Sequence, residues 1–404
     1  MPENTTMSEE FVDEVINTEV NKASEPVHYL QEDAGSEPEE GTALCLSGGG
    51  YRAMLFHTGV LWRLNEIGWL PKLNRVSSVS GGSITAGVLA LNWKNLEFNG
   101  DNVATNFEDE IVKPIKRIAS RTIDVSSVLI GTLWFGTIGD KIADSYRNHL
   151  FGNATLQDII DEVPGKSPRF VINATNVQSG VLWRFMKPYM RDYRVGEVRS
   201  PKIDLAVAVA ASSAFPPVLS PVELDLDPED FTPGSGTDLQ GDEFRTQVVL
   251  TDGGVYDNLG LETAWKRYKT ILISDAGGGF TAEADPDRDW VRHAARVLFT
   301  IDNQVRSLRK RQAVEAFKAG IRNGAYWTIA ADAENDYKIA KPLDCQFVNT
   351  KRLADLGTRL RKFDDETQRK LINWGYAVSD LGLRQYVDGS IAIESRFPYP
   401  ENGV

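Results

Sequence analysis

The chain has 404 residues and a formal charge of −13, from 57 acidic and 44 basic side chains, with two cysteines, Cys45 and Cys345. No long basic run offsets the acid, which disfavours DNA or RNA as a partner. Two cysteines in apolar or mixed surroundings make neither a disulfide scaffold nor a cysteine-rich zinc site, and no stretch reaches the ~18 consecutive apolar residues of a membrane span.

Residues 1–40 hold twelve acidic side chains and one basic one, Lys22, which leaves a charge of only −2 for the rest of the chain. This leader reads as a solvated, flexible segment. It is acidic and lacks an apolar run, so it does not read as a secretory signal, and a cytoplasmic protein is expected. No clean linker divides the remainder, so one domain is expected over residues 41–400.

The apolar run TALCLS at 42–47 predicts a buried strand, followed by three glycines and a helix from Tyr51 that Gly68 ends. RVSSVS at 75–80 predicts a second strand, and the small-residue stretch GGSITAGVLALNW a second helix. Further helices are expected over 101–120, in SYRNHLFG and in TLQDII. RFVINATNV at 169–177 and VLWRFMK at 181–187 predict a strand hairpin. DLAVAVAASSAFPPVL predicts a helix halted by Pro216 and Pro217. TQVVLTDGG at 246–254 predicts a strand into a tight turn, NLGLETAWKRY a helix, and KTILISDAGGG a strand running into glycines. A long charged helix over 287–318, a late strand in GAYWTIAADA and a largely helical stretch over 349–386 complete the pattern. Strands alternate with helices nearly throughout. This implies an α/β fold, three layers α/β/α around a mostly parallel central sheet. The acidic, Gly- and Pro-bearing segment 223–243 reads as a surface loop.

Two glycine turns carry the chemistry. In SVSGGS, Ser80 stands where a strand turns sharply into a helix, as in a nucleophile elbow. The next two glycines permit the turn, and the helix start offers free N–H groups. Ser78 occupies the position of the elbow's usual first glycine, and a plain serine N-cap is the competing reading. In LSGGGYRA, Gly48, Gly49 and Gly50 form a cradle of backbone N–H groups. Neither a P-loop nor a dinucleotide fingerprint fits, because Gly-Lys-Ser/Thr and the third glycine are both missing. An oxyanion hole fits better, with Arg52 either supporting the loop or meeting a phosphate headgroup.

A serine nucleophile needs a base. None of the four histidines, His28, His57, His149 and His293, sits in a strand-end loop. Asp252, in LTDGG, does sit at a strand end, where α/β proteins gather their sites. In a low-dielectric pocket its basicity could suffice. Asp275, in SDAGG, is the rival acid. A Ser80–Asp252–His293 triad is the second enzymatic reading. Asp257 and Asn258 are expected to cap the helix after them, and Asn173, Ser212 and Ser213 to serve structure around the site.

The ordered set LSGGGYRA, SVSGGS, INATNVQSG, AVAASSAFPPVL and TDGGVYDNLG resembles the patatin-like phospholipase family over about residues 42–275, and the elbow resembles the related cytosolic phospholipase A2 type. The resemblance implies a Ser–Asp dyad that lands on Ser80 and Asp252, with an oxyanion loop at Gly48, Gly49 and Gly50 and Arg52 beside it. Ala53 departs from that loop pattern, and Ser78 from the elbow pattern. The implied reaction is hydrolysis of fatty-acyl esters of phospholipids or related lipids through an acyl-enzyme, with no metal or cofactor. Lipid would be met at a peripheral membrane or micelle surface. Trp134 and Phe135, near Lys113, Lys116, Arg117 and Arg121, are interfacial candidates. A non-catalytic lipid-binding protein, or an effector regulated through the leader or the 223–243 insert, are the other readings.

Overall fold

A computed structural model describes residues 38–123, 138–216, 218–280 and 282–404. Trp134, Phe135, Pro217 and almost all of the acidic leader lie outside the described residues. Among the described residues the central sheet has ten strands. They are β1 (Glu39–Leu46), β2 (Arg75–Val79), β3 (Arg169–Asn176), β4 (Val181–Phe185), β5 (Tyr189–Asp192), β6 (Gly196–Arg199), β7 (Val222–Asp225), β8 (Gln247–Asp252), β9 (Tyr268–Asp275) and β10 (Asn323–Thr328). The longer helices are α1 (Gly50–Glu66), α2 (Gly81–Asn92), α3 (Lys113–Ala119), α4 (Ile138–Tyr146), α5 (Leu205–Ser213), α6 (Trp290–Lys318), α7 (Phe347–Ala354) and α8 (Asp365–Tyr386).

The strand order is β10-β9-β1-β2-β3-β4-β5-β6, with β8 beside β3 and β7 beside β8. The sheet is mixed. Strands β10, β9, β1, β2 and β3 run parallel, and β4 to β8 pair antiparallel. The parallel half is buried on both faces, as its apolar runs require. Along β1, Leu44 and Leu46 enter one apolar cluster, while Ala43 and Cys45 enter another on the opposite face. Helices α1, α2, α5 and α8 cover the first face, which gives the three-layer α/β/α architecture.

Helix α8 packs along α1 at a crossing where both helices lack a Cβ. A Cβ on Gly59 would fall 1.9 Å from the Ile372 carbonyl oxygen, and one on Gly375 would fall 1.9 Å from that of Phe56. Beside this crossing, the buried Asp380 carboxylate accepts from Arg63 Nε and Arg384 Nε, both at 2.9 Å. Each charge is thus taken out of water only in the company of its partner.

Four expectations are revised. Residues 101–106 are not helical, because Asn side chains capture the local backbone: Asn99 Oδ1 accepts from Asp101 and Val103, and Asn65 bonds both polar groups of Ala104. TLQDII is a turn in which Asp158 accepts from the N–H and hydroxyl of Thr155. NLGLETAWKRY yields only the one-turn helix Glu262–Trp265. The 223–243 insert begins as strand β7 and is pinned down further on, where Ser235 Oγ accepts from Glu197 N–H and Phe231 bridges to Val198.

Candidate active site

Strand β3 brings the nucleophile and acid candidates together. Its outer edge is taken by β4 over 172–176. On its other edge, β2 pairs up to Val79↔Asn173, and β8 takes over at Ala174↔Asp252. The two strands therefore meet end to end, with Ser80 leaving β2 at the point where Asp252 finishes β8.

Ser80 has φ 53° and ψ −121°, and its side chain makes no capping hydrogen bond to α2. The N-cap reading therefore does not describe it. This strained backbone is clamped from below. The Ser80 N–H donates to Ser212 Oγ (3.0 Å), which in turn donates to the Asn173 carbonyl (2.7 Å). Ser83 Oγ lies 2.9 Å from Ser212 Oγ and donates to Ser78 Oγ (3.0 Å), so the serine in place of the elbow glycine joins the same network. The end of α5 holds the acid too, since the Asp252 N–H donates to the Ala214 carbonyl at 3.0 Å.

Asp252 is 1% exposed, and burial pushes its carboxyl up to about 7, helped by the charge of Asp302 and opposed by the Gly254 N–H and the neighbouring Ser80 hydroxyl. Its Oδ1 accepts from Gly254 N–H at 2.7 Å. Among the described residues its Oδ2 has no partner within hydrogen-bond geometry, while the Ser80 hydroxyl lies close enough to the carboxyl to favour its ionised form.

The glycine loop abuts the serine. A Cβ on Gly48 would lie 3.2 Å from Ser80 Cβ, and one on Gly81 would lie 2.2 Å from the Gly50 carbonyl oxygen. Gly49 and Gly50 have φ of 139° and 58°, values that favour glycine. The three N–H groups are not equivalent. That of Gly48 donates to Asn258 Oδ1 at 3.1 Å. Those of Gly49, Gly50 and Gly81 have no hydrogen-bond acceptor among the described residues.

Arg52 is buried, with Nη1 donating to the carbonyls of Ala354 and Leu356 at 2.6 Å and Nη2 to that of Ala276 at 2.8 Å. Of the two expected roles, this is loop support and not headgroup contact. His57 is buried between Ser274 Oγ and the Ser47 carbonyl, where burial pushes it down to about 4. Asp275 is engaged by Lys310 and by Tyr326, whose hydroxyl donates at 2.7 Å. Burial alone would raise its carboxyl, but Lys310 and Arg306 outweigh that and hold it far below the usual range. His293 is exposed on α6 and makes no side-chain hydrogen bond to Ser80 or Asp252. Two site residues were assigned only structural parts from sequence: Ser212, which anchors the elbow, and Asn258, which anchors the glycine loop. Both stand inside quoted motifs, ASSAFPP and DGGVYDN, but nothing local marks their long-range partners.

A serine of positive φ at a strand–helix turn, a buried strand-end carboxyl and loop amides without acceptors among the described residues thus meet at one place in an α/β fold. The model of the patatin-like phospholipase family matches residues 44–265, and the chain belongs to that family. No curated protein matches the chain. Among solved structures, human GIVD cytosolic phospholipase A2 is 14% identical, with 67% of this chain and 48% of that chain covered and a TM-score of 0.40. VipD from Legionella pneumophila is 16% identical, with 86% and 66% covered and a TM-score of 0.32. Full-length ExoU from the type III secretion system of Pseudomonas aeruginosa is 16% identical, with 68% and 53% covered and a TM-score of 0.21. The chain thus spans about half the length of the human phospholipase structure that it matches.

Proposed function

We propose that the chain is a serine lipid acyl hydrolase working through a Ser80–Asp252 dyad. The supporting observation is the end-to-end meeting of β2 and β8 on one edge of β3, together with a Ser80 hydroxyl beside an unpartnered Asp252 Oδ2. At neutral pH a carboxyl near 7 is substantially ionised and a stronger base than an exposed aspartate.

Asp252 Oδ2 takes the hydroxyl proton as Ser80 Oγ attacks the ester carbonyl carbon. The N–H groups of Gly49, Gly50 and Gly81 receive the oxyanion. Collapse expels the alcohol or lysolipid, which takes the proton back from Asp252. Water then gives a proton to Asp252 and attacks the acyl-enzyme, and that proton returns to Ser80 as the fatty acid leaves.

The test is fatty-acid release from micellar phospholipid together with covalent labelling by a fluorophosphonate. Ser80→Ala is expected to abolish both, and Asp252→Asn to lower both by ~10³-fold or more. His293→Ala should keep most activity. Fatty-acid release that survives Ser80→Ala overturns the nucleophile, and near-complete loss in His293→Ala overturns the dyad in favour of a triad.

A further inference from the structure

The segment after α3 lies against the stretch before α8. The Phe363 N–H donates to the Ala119 carbonyl at 2.9 Å, Ile123 N–H to the Leu360 carbonyl at 3.0 Å, and Lys362 N–H to Thr122 Oγ1 at 3.1 Å. Five exposed cations collect there: Arg117 and Arg121 from one segment, Arg359, Arg361 and Lys362 from the other. Arg359 and Arg361 flank the buried Leu360, so both side chains turn outward.

Among the described residues none of the five has an ion-pair partner, whereas neighbouring cations do. Lys113 pairs with Asp109, Lys116 with Asp365, and Arg147 with Asp144 and Asp204. Nearby carboxylates are already committed, since Asp355 pairs with Lys351 and Asp364 caps α8 through the Thr367 N–H. Arginines this close repel one another, and in a chain of net charge −13 nothing general accounts for them.

Arg117 and Arg121 also line a surface cavity of about 620 Å³ with Ser120, Asn148 and His149. The lining holds no carboxylate among the described residues and neither Ser80 nor Asp252, but it is joined to the candidate site on both sides. The Arg359 carbonyl accepts from Tyr51 N–H at 3.3 Å, directly behind Gly50. His149 comes three residues after Tyr146, the last residue of α4, and α4 packs on α5, whose end clamps Ser80 and Asp252.

Guanidinium forks at the wall of an open cavity match phosphate oxygens. Resting on the acyl-hydrolase reading, we infer that this cavity and its basic rim dock the enzyme on a membrane of anionic phospholipid, with a lipid phosphate held between Arg117 and Arg121. A second observation favours a surface over a small free anion: the cations extend beyond the cavity to Arg359, Arg361 and Lys362, a spread suited to several headgroups at once.

The experiment is co-sedimentation of the full chain, carrying Ser80→Ala to prevent hydrolysis, with vesicles of phosphatidylcholine alone or with about 30% phosphatidic acid. Binding should favour the anionic vesicles at least tenfold and fall steeply with salt. Arg117→Ala/Arg121→Ala and Arg361→Ala/Lys362→Ala should each lose roughly tenfold or more of that binding. Both pairs in the Ser80-containing protein should hydrolyse a soluble short-chain ester at the parental rate, so a failure of docking is separable from a failure of the hydrolase reading. Equal binding to neutral vesicles, or arginine variants that bind like the parent, overturns the inference. Competition by millimolar inorganic phosphate as complete as that by vesicles also overturns it and assigns the cavity to a free anion.

Discussion

Ser80 carries a positive φ without being glycine, and such a conformation costs on the order of 1–3 kcal/mol. Ser80→Gly removes that strain at a cost of ~0.5–1 kcal/mol in unfolded-chain entropy. Thermal melting should therefore show Ser80→Gly at or above the parental midpoint, while Ser80→Ala, still strained, shows no such gain; a lower midpoint for glycine would mean that the elbow is relaxed. Asp252 supplies the pH dependence. With its carboxyl raised to about 7 by burial, the fraction ionised, and with it kcat/KM on a soluble ester, should climb through neutral pH to a plateau above about 8. A limb centred near 4 would mean that the acid is not this one. Stability runs the opposite way. A folded-state pKa above the unfolded value of 3.8 favours the fold fully below that value, and the advantage is lost as pH rises through about 7. The uncharged Asp252→Asn protein should accordingly gain in melting temperature relative to the parent between pH 5 and pH 8.

Helices α1 and α8 touch through glycine at both crossing points, so neither tolerates a side chain. Gly375→Ala would set a methyl 1.9 Å from the Phe56 carbonyl oxygen, forcing the helices apart. A melting temperature several degrees lower is expected, with turnover per folded molecule falling as α1, which begins at the glycine loop, shifts. A variant that melts like the parent would show that the two helices separate freely here. The site-bearing elements were also the legible ones. Strands β1, β2 and β8 announce themselves as runs ending in serine or glycine and β3 as an apolar run ending at Asn176, and the quoted motifs sit at their ends. The end-to-end register of β2 and β8 was not legible, because it is set by the pairing of β3 with one strand 94 residues before it (Arg75↔Arg169) and another 78 residues after it (Ala174↔Asp252), which leaves no local trace. Nor was the commitment of the Gly48 N–H to Asn258, which depends on a contact 210 residues away. The start of the helix read at 101–120 and the helix read at 155–160 failed because Asn and Asp side chains outbid the helix for backbone hydrogen bonds.

At the scale of the molecule, the family match ends at residue 265, yet the site depends on the chain beyond that point. The carbonyls of Ala354 and Leu356 hold Arg52, that of Arg359 receives Tyr51 N–H, and α8 packs along the length of α1. The C-terminal third is thus the buttress of the glycine loop and not an appendage. It also supplies three of the five cations of the basic surface, so the parts that brace the glycine loop and the parts proposed to face the membrane are one continuous stretch. Among the described residues no helix is long and apolar enough to cross a membrane.

That dependence has a consequence for biosynthesis. A ribosome releases the stretches bearing Ser80 and Asp252 about a hundred residues before the carbonyls that fix Arg52. During translation the nascent polypeptide thus holds Ser80 and Asp252 before the carbonyls that brace Arg52 and the glycine loop. On the proposed hydrolase reading, activity should therefore arrive late and abruptly, only once the stretch through α8 has emerged and docked.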